Sequence, residues 1–168
     1  LGLHVASGLI AQGATRLILL GRSAPTPVVQ RQLDEWSAHG VEIVCAQVDV
    51  GDVQQLAALV NAIPAEFPLA GVIHAAGVLD DGSFLQQNWA RLERTLVPKL
   101  QGVWNLYQAT AGTTLDFFVC FSSVASLLGN RGQANYAAAN AALDAFAHYR
   151  HAHNLPATTI NWGAWAEG

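Results

Sequence analysis

Residues 116–162 read DFFVCFSSVASLLGNRGQANYAAANAALDAFAHYRHAHNLPATTINW. The opening run, Asp116-Phe-Phe-Val-Cys-Phe121, is short and apolar, as a buried strand requires. A loop over 124–132 follows, marked by Gly129 and Gly132. The alanine-rich run from Gln133 to about Asn154 predicts a long helix, and Ala157 to Trp162 predicts a last strand. Strand, long helix, strand is the unit from which parallel sheets are built.

Working back from it, the same alternation repeats. Asn88 to about Thr110 suits a long helix, with Pro98 set to kink or break it. Gly71-Val-Ile-His-Ala-Ala-Gly77 reads as a strand running into a glycine turn. Asp52-Val-Gln-Gln55 fits a capping box opening a helix that ends near Ile63, before Pro64. Val41 to Val48 is a strand rich in β-branched residues, and 26–39 a helix stopped by Gly40. Arg16 to Leu20 is a buried strand closed by Gly21. Residues 2–12 form a helix with Leu3, Ala6, Leu9 and Ile10 near helical spacing and Gly13 as its stop. The expected fold is α/β: a doubly wound parallel sheet with helices on both faces. Such a sheet should begin on a strand, so the first strand is expected to lie outside the sequence.

The composition supports one folded domain over 1–168. Hydrophobic residues make up 52% and charged residues 12%, which excludes disorder. A chain of 168 residues buries roughly 68–70% of its unfolded surface. The net charge of −4, without any basic run, argues against nucleic acid. No 18 consecutive apolar residues occur, which argues against a membrane span. Cys45 and Cys120 lack metal-ligand spacing and are expected as two buried thiols in a reducing compartment, hence a cytoplasmic setting. There is no methionine, and Leu1 opens directly into a helix without a basic leader. The chain therefore reads as truncated at both ends, with an unfinished tail after Gly163. Lys99 is the only lysine.

Doubly wound folds bind dinucleotides at the first strand–helix turn, with the pyrophosphate at a helix N-terminus. Gly2 is the residue available for that loop. An acid about 20 residues on would grip a ribose 2′-hydroxyl, but Gly21-Arg22-Ser23 stands there. An acid would repel a 2′-phosphate and a guanidinium would pair with it, so the sequence prefers NADPH to NADH. Asp49, with Val50, ends a strand where an adenine would lie. Ala75, Ala76 and Gly77 are small enough to let a cofactor approach the backbone. Each has a plainer use too: a helix-start glycine, a solvated arginine, a loop acid, an ordinary turn.

Ser123 follows a strand, Tyr136 stands near the start of the next helix, and Asn140 lies four residues further on the same face. Lys99 is on the preceding helix. When hydride reaches a ketone carbon, negative charge grows on its oxygen. A tyrosine hydroxyl can supply the proton, although its ordinary pKa is about 10, and a nearby ammonium favours the phenolate. A serine hydroxyl can polarise the carbonyl, and an asparagine can fix the lysine or a relay water. Taken singly, Ser123 suits a turn cap, Tyr136 a half-buried aromatic, Asn140 an exposed helix position and Lys99 a solvated charge. The ordered set shifts the balance to catalysis.

The stretch Phe121-Ser-Ser-Val-Ala-Ser-Leu-Leu-Gly-Asn-Arg-Gly-Gln-Ala-Asn-Tyr-Ala-Ala-Ala-Asn-Ala141 closely resembles the ketoreductase domain of modular polyketide synthases, a branch of the short-chain dehydrogenase/reductase family with a Rossmann-like sheet. His74-Ala-Ala-Gly77, Pro98-Lys99 with Gly102, and Ile160-Asn-Trp-Gly163 agree in order and spacing, and the resemblance runs essentially from Leu1 to Gly168. Ordinary members carry lysine four residues after the tyrosine. Here Asn140 stands there, and the resemblance implies that Lys99 inherits the lysine role. It further implies NADPH reducing a β-ketoacyl thioester on an acyl carrier protein, beside neighbouring synthase domains. Leu79-Asp80-Asp81 matches the B-type motif, with Asp81 the position that matters. Leu128 is not the A-type tryptophan, and Gln133 is not the histidine of one A-type variant. The resemblance thus implies a D-configured β-hydroxyl product.

The family's first strand, its leading phosphate-loop glycines, its N-terminal subdomain and its substrate-covering helix lie outside the sequence, and Ala164 replaces an expected proline. These 168 residues alone are therefore expected to fold poorly or to hold NADPH weakly. Two other functions remain open at this point: a non-catalytic scaffolding domain, which would tolerate loss of Tyr136, Ser123 or Lys99, and a free-standing reductase of another ketone, which the Lys/Asn exchange disfavours.

Overall fold

The computed structural model describes residues 1–165, so the end of the tail read from the sequence lies outside the described residues. The chain divides into two compact units, Leu1–Asp49 and the remainder from Val50.

The first unit holds helix α1 (Gly2–Ala11), strand β1 (Arg16–Gly21), helix α2 (Pro27–Ala38) and strand β2 (Glu42–Gln47). β1 and β2 pair in parallel, from Arg16 opposite Glu42 to Gly21 opposite Gln47. Thr26 caps α2 with its hydroxyl oxygen, and Pro27 follows at the first helical position, where a missing N–H costs nothing. Ala6, Leu33 and Val41 are the buried apolar residues of this unit. β1 is only half-buried and β2 largely exposed, so neither is the fully covered strand expected. Cys45 is accordingly exposed while Cys120 is buried, which corrects the expectation of two buried thiols.

The second unit runs helix α3 (Val53–Asn61), strand β3 (Gly71–His74), a 3₁₀ turn at Phe84–Gln86, helix α4 (Trp89–Leu96), a π turn at Val97–Gln101, helix α5 (Gly102–Ala109), strand β4 (Phe117–Ser123), short helix α6 (Ala125–Leu128), helix α7 (Ala134–Ala152) and strand β5 (Thr158–Trp162). Its sheet is parallel in the order β3-β4-β5. Asp52 caps α3 by accepting from the Gln54 and Gln55 amides, and the Gln55 side chain returns to its carboxylate at 2.7 Å. β4 contributes Phe118, Cys120 and Phe121 to the core, α7 contributes Ala139, Leu143, Phe146 and Ala147, α5 contributes Val103 and Leu106, and α3 contributes Leu56. Each large apolar side chain so buried stabilises the unit by about 1.5–3 kcal/mol. At the far end of α7, Arg150 lies 4.3 Å over the Phe118 ring and donates from Nε to the Pro156 carbonyl at 2.9 Å.

Two sequence expectations are refined. The long helix over 88–110 is three pieces, because Pro98 has no N–H to give to the preceding turn and the backbone widens into a π turn around it. The loop over 124–132 contains α6, whose first amide, that of Ala125, donates to Ser123 Oγ at 3.2 Å.

Candidate active site

The π turn carries Lys99 inward. Its side chain is 4% exposed, and its ammonium donates to the Phe121 carbonyl on β4 at 2.8 Å. Nζ lies 5.6 Å from the centroid of the Tyr136 ring. Loss of water pushes the lysine down to about 8, against the opposing pull of Cys120 and Asp144. Lys99 is thus a buried cation beside a tyrosine and not a solvated surface charge.

Tyr136 is the third residue of α7, half-buried, with its amide bonded to the Asn135 side chain at 2.9 Å. One turn on, Asn140 is fully buried, not exposed, and its Nδ2 donates to the Tyr136 carbonyl at 2.8 Å. Its buried Oδ1 has no hydrogen-bond partner among the described residues. Ser122 ties β4 to α7 by donating to the Asn140 carbonyl at 3.2 Å. Ser123, the last residue of β4, is half-buried. Its oxygen accepts the Ala125 amide, which leaves its hydroxyl proton free to be donated elsewhere. It therefore accepts at the start of α6 and still keeps a donor. Lys99, Tyr136 and Asn140 come together, and Ser123 lies two residues beyond the carbonyl that Lys99 grips.

A strap of residues 79–87 runs beside the start of α7. The Asn135 amide group donates to the Asp80 carbonyl at 2.8 Å, Gln133 Nε2 to Asp81 Oδ2 at 2.9 Å, and the Gly82 amide to the Gly132 carbonyl at 2.9 Å. Asp80 is gripped by Arg94, whose Nε donates at 2.7 Å, and by Arg91 Nη2 at 3.3 Å. Asp81 and Gln133 are thus directly joined. Leu128 stands at the end of α6, 82% exposed, outside that link.

The cofactor candidates divide between the units. Gly2 opens α1 and is exposed, and a Cβ there would meet nothing within 4 Å, so packing does not demand a glycine. Arg22 and Ser23 are exposed in the bend after β1, where the Arg22 carbonyl accepts from the Gln47 side chain at 3.1 Å. Asp49 closes the first unit. In the second unit, the Val50 carbonyl accepts from Asn105 Nδ2 at 2.9 Å, and a Cβ on Gly102 would press against the Val50 side chain at 2.9 Å. Val50 therefore has a structural use of its own. Ala75 and Ala76 follow β3 and are half-buried, while Gly77 is exposed.

Sequence reading passed over several groups. Asn161 on β5 donates to Ser126 Oγ at 2.8 Å and Asp144 Oδ2 at 3.0 Å, and Ser126 donates to Asp144 at 2.6 Å. The signal was available, since Asp144 repeats the spacing of Tyr136 and Asn140 along one helix face. His74, which in the sequence figures only within His74-Ala-Ala-Gly77, is buried at the end of β3.

A family model described as KR domain matches residues 1–167. Polyketide synthase GfsB of Streptomyces halstedii is 46% identical over 99% of this chain, which spans 3% of that protein. The phthioceranic/hydroxyphthioceranic acid synthase of Mycobacterium tuberculosis (strain ATCC 25618 / H37Rv) is 41% identical over 99% of the chain and 8% of its own length. Among solved structures, the first ketoreductase of the tylosin PKS gives a TM-score of 0.88 at 45% identity, covering 97% of this chain and 36% of that one. A structure of A-type ketoreductases from a modular polyketide synthase gives 0.93 at 39% identity, covering 98% and 35%. Matched over almost its whole length, the chain belongs to the KR domain family, the Rossmann-like oxidoreductases that serve as ketoreductases in polyketide synthases.

Proposed function

We propose that the chain is a single ketoreductase domain that reduces a β-ketoacyl thioester, carried on an acyl carrier protein, to the β-hydroxyacyl thioester in polyketide biosynthesis. The observation that carries this reading is the sole lysine, buried with its ammonium 5.6 Å from the Tyr136 ring. NADPH, when bound, supplies the hydride. The residues present fit it: Arg22 and Ser23 stand exposed past β1, with no acid in Gly21-Arg22-Ser23, and would take a 2′-phosphate. Gly2 would take the pyrophosphate, Asp49 and Val50 the adenine, and Ala75, Ala76 and Gly77 would let the group lie against the backbone. Tyr136 gives its hydroxyl proton to the carbonyl oxygen, and the Lys99 ammonium supports the charge left on the phenol. Ser123 donates its free hydroxyl proton to the same carbonyl oxygen and polarises it. The unpaired Oδ1 of Asn140 is the acceptor for a relay water or for the Lys99 ammonium.

The product is D-configured, of the B type. Asp81 in Leu79-Asp80-Asp81 supports this, as do leucine and glutamine at 128 and 133 in place of the A-type residues. The partners are the carrier protein and neighbouring synthase domains in the cytoplasm. The acidic net charge argues against a nucleic-acid partner, and no helix among the described residues is long and apolar enough to cross a membrane.

The test is NADPH consumption on a β-ketoacyl thioester, with Tyr136→Phe alongside. That change should cost about 10²–10⁴-fold in kcat while NADPH binding is kept, and the wild-type product should be D-configured. Tight NADPH binding without wild-type turnover would favour a scaffolding domain.

A further inference from the structure

We infer that His74 and Gly77 are the positioning residues of Lys99: the imidazole holds the carbonyl of the turn that carries the lysine, and the glycine leaves the passage through which the lysine side chain reaches β4. The value of this placement to turnover rests on the proposed reductase chemistry. The placement itself does not.

His74 is the last residue of β3 and is 2% exposed. Its Nε2 lies 3.2 Å from the Lys99 carbonyl oxygen. The only group there that can donate is the ring, so the imidazole carries its proton on Nε2. The ring also meets the Pro98 carbonyl, and burial beside the Lys99 charge pushes the histidine down to about 4, which keeps it neutral. A π turn is a local loosening of helix hydrogen bonding, and a fixed external donor sets where its carbonyls point. The direction of the Lys99 side chain follows from that backbone. Gly102, just past the turn, lets the two approach, since a Cβ there would stand 3.2 Å from His74 Cε1.

Gly77 acts from the other side. A Cβ at this position would sit 3.1 Å from Lys99 Cε and 3.5 Å from its Nζ. The lysine end is held by the Phe121 carbonyl at 2.8 Å and is buried, so a methyl would have to push Cε aside by a few tenths of an ångström against that bond. The cofactor reading of Gly77 asks for a small residue because a ligand comes close. The structure supplies a second reason, internal to the chain.

Because Lys99 is the only lysine, the chain grown on lysine labelled with carbon-13 at Cε gives one ε-methylene resonance, and its titration reads this ammonium alone. The wild-type midpoint is expected at about 8. His74→Leu removes the donor, and the midpoint should rise by about one unit as water reaches the ammonium. His74→Gln, whose amide nitrogen can reach the same carbonyl, should restore it. Gly77→Ala should shift the Cε resonance as the added methyl crowds Cε and strains the bond to Phe121. In turnover, both damaging changes should lower kcat by about 10–100-fold with KM for the thioester unchanged. An unmoved Lys99 resonance and midpoint in folded His74→Leu and Gly77→Ala overturns the proposal. Should His74→Leu not fold, Gly77→Ala decides alone. A shifted resonance in a chain without wild-type turnover would overturn the reductase reading and leave this one standing.

Discussion

Lys99 and His74 lose their water side by side, and each is then penalised for carrying charge. For His74 the folded value of about 4 lies below the ordinary 6.5. Above pH 6.5 neither state binds the proton and stability does not depend on it. Between 6.5 and 4 the unfolded chain takes up a proton that the folded chain refuses, so stability falls as the solution is acidified, by about 2 kcal/mol at pH 5. Lys99 works in the alkaline window: from about 8 upward toward the ordinary 10.5 the unfolded chain still holds a proton that the folded chain has released, so stability rises with pH. Urea unfolding at pH 7 and pH 5 checks the first window. The loss between the two should shrink by about 2 kcal/mol in His74→Gln, and an equal loss in both proteins would refute the assignment. Little of this was legible in the sequence. Lys99 stood out because it is alone, and its role came through resemblance. Its burial did not, since a lone charged residue on a helix ordinarily faces water, and only the turn around Pro98 directs it inward.

That turn is where an element departs from its pattern. The run from Asn88 to Thr110 looks like one helix because helix-forming residues continue on both sides of the π turn, although Pro98 marked the place. Alternation of strands and helices, by contrast, was readable throughout, because each strand is a compact apolar run bounded by glycine or a cap. α6 was not readable: four residues are too few to show a period. The strap over 79–87 has no periodicity at all. Its order comes from side chains that reach across sequence, above all the grip of Arg91 and Arg94 on Asp80. The two acids that sequence reading treated as one motif therefore do different work, Asp80 as the anchor and Asp81 as the partner of Gln133. Asp80→Ala should release the strap. Hydrogen exchange should show amides 79–87 opening at least about tenfold faster, the equivalent of about 1.4 kcal/mol, while β4 and α7 hold. Unchanged strap exchange would mean that the links to Gly132 and Asn135 suffice without the arginines.

The two units differ in how much they bury. Three apolar side chains are buried in the first, Ala6, Leu33 and Val41, whereas the second encloses β4 between well-filled helices. Family and sheet direction were legible at this level because they depend on the order of elements, but the partition was not, because the sequence gives no linker or change of composition near Asp49. It surfaces only when strand pairing divides into β1-β2 and β3-β4-β5. The single buried lysine has a consequence for the chain as a substrate of other enzymes. A protease that cuts after lysine has one bond to attack, between Lys99 and Leu100, and that bond lies within the π turn of the second unit. Native chain should resist it, and unfolded chain should fall into two pieces, 1–99 and 100–168. The amount cut in a brief pulse should then track the denaturant unfolding curve of the second unit alone, and cutting well before that curve would show the turn opening on its own. The first unit contains no lysine, so one peptide bond becomes a meter for the unit that holds Tyr136.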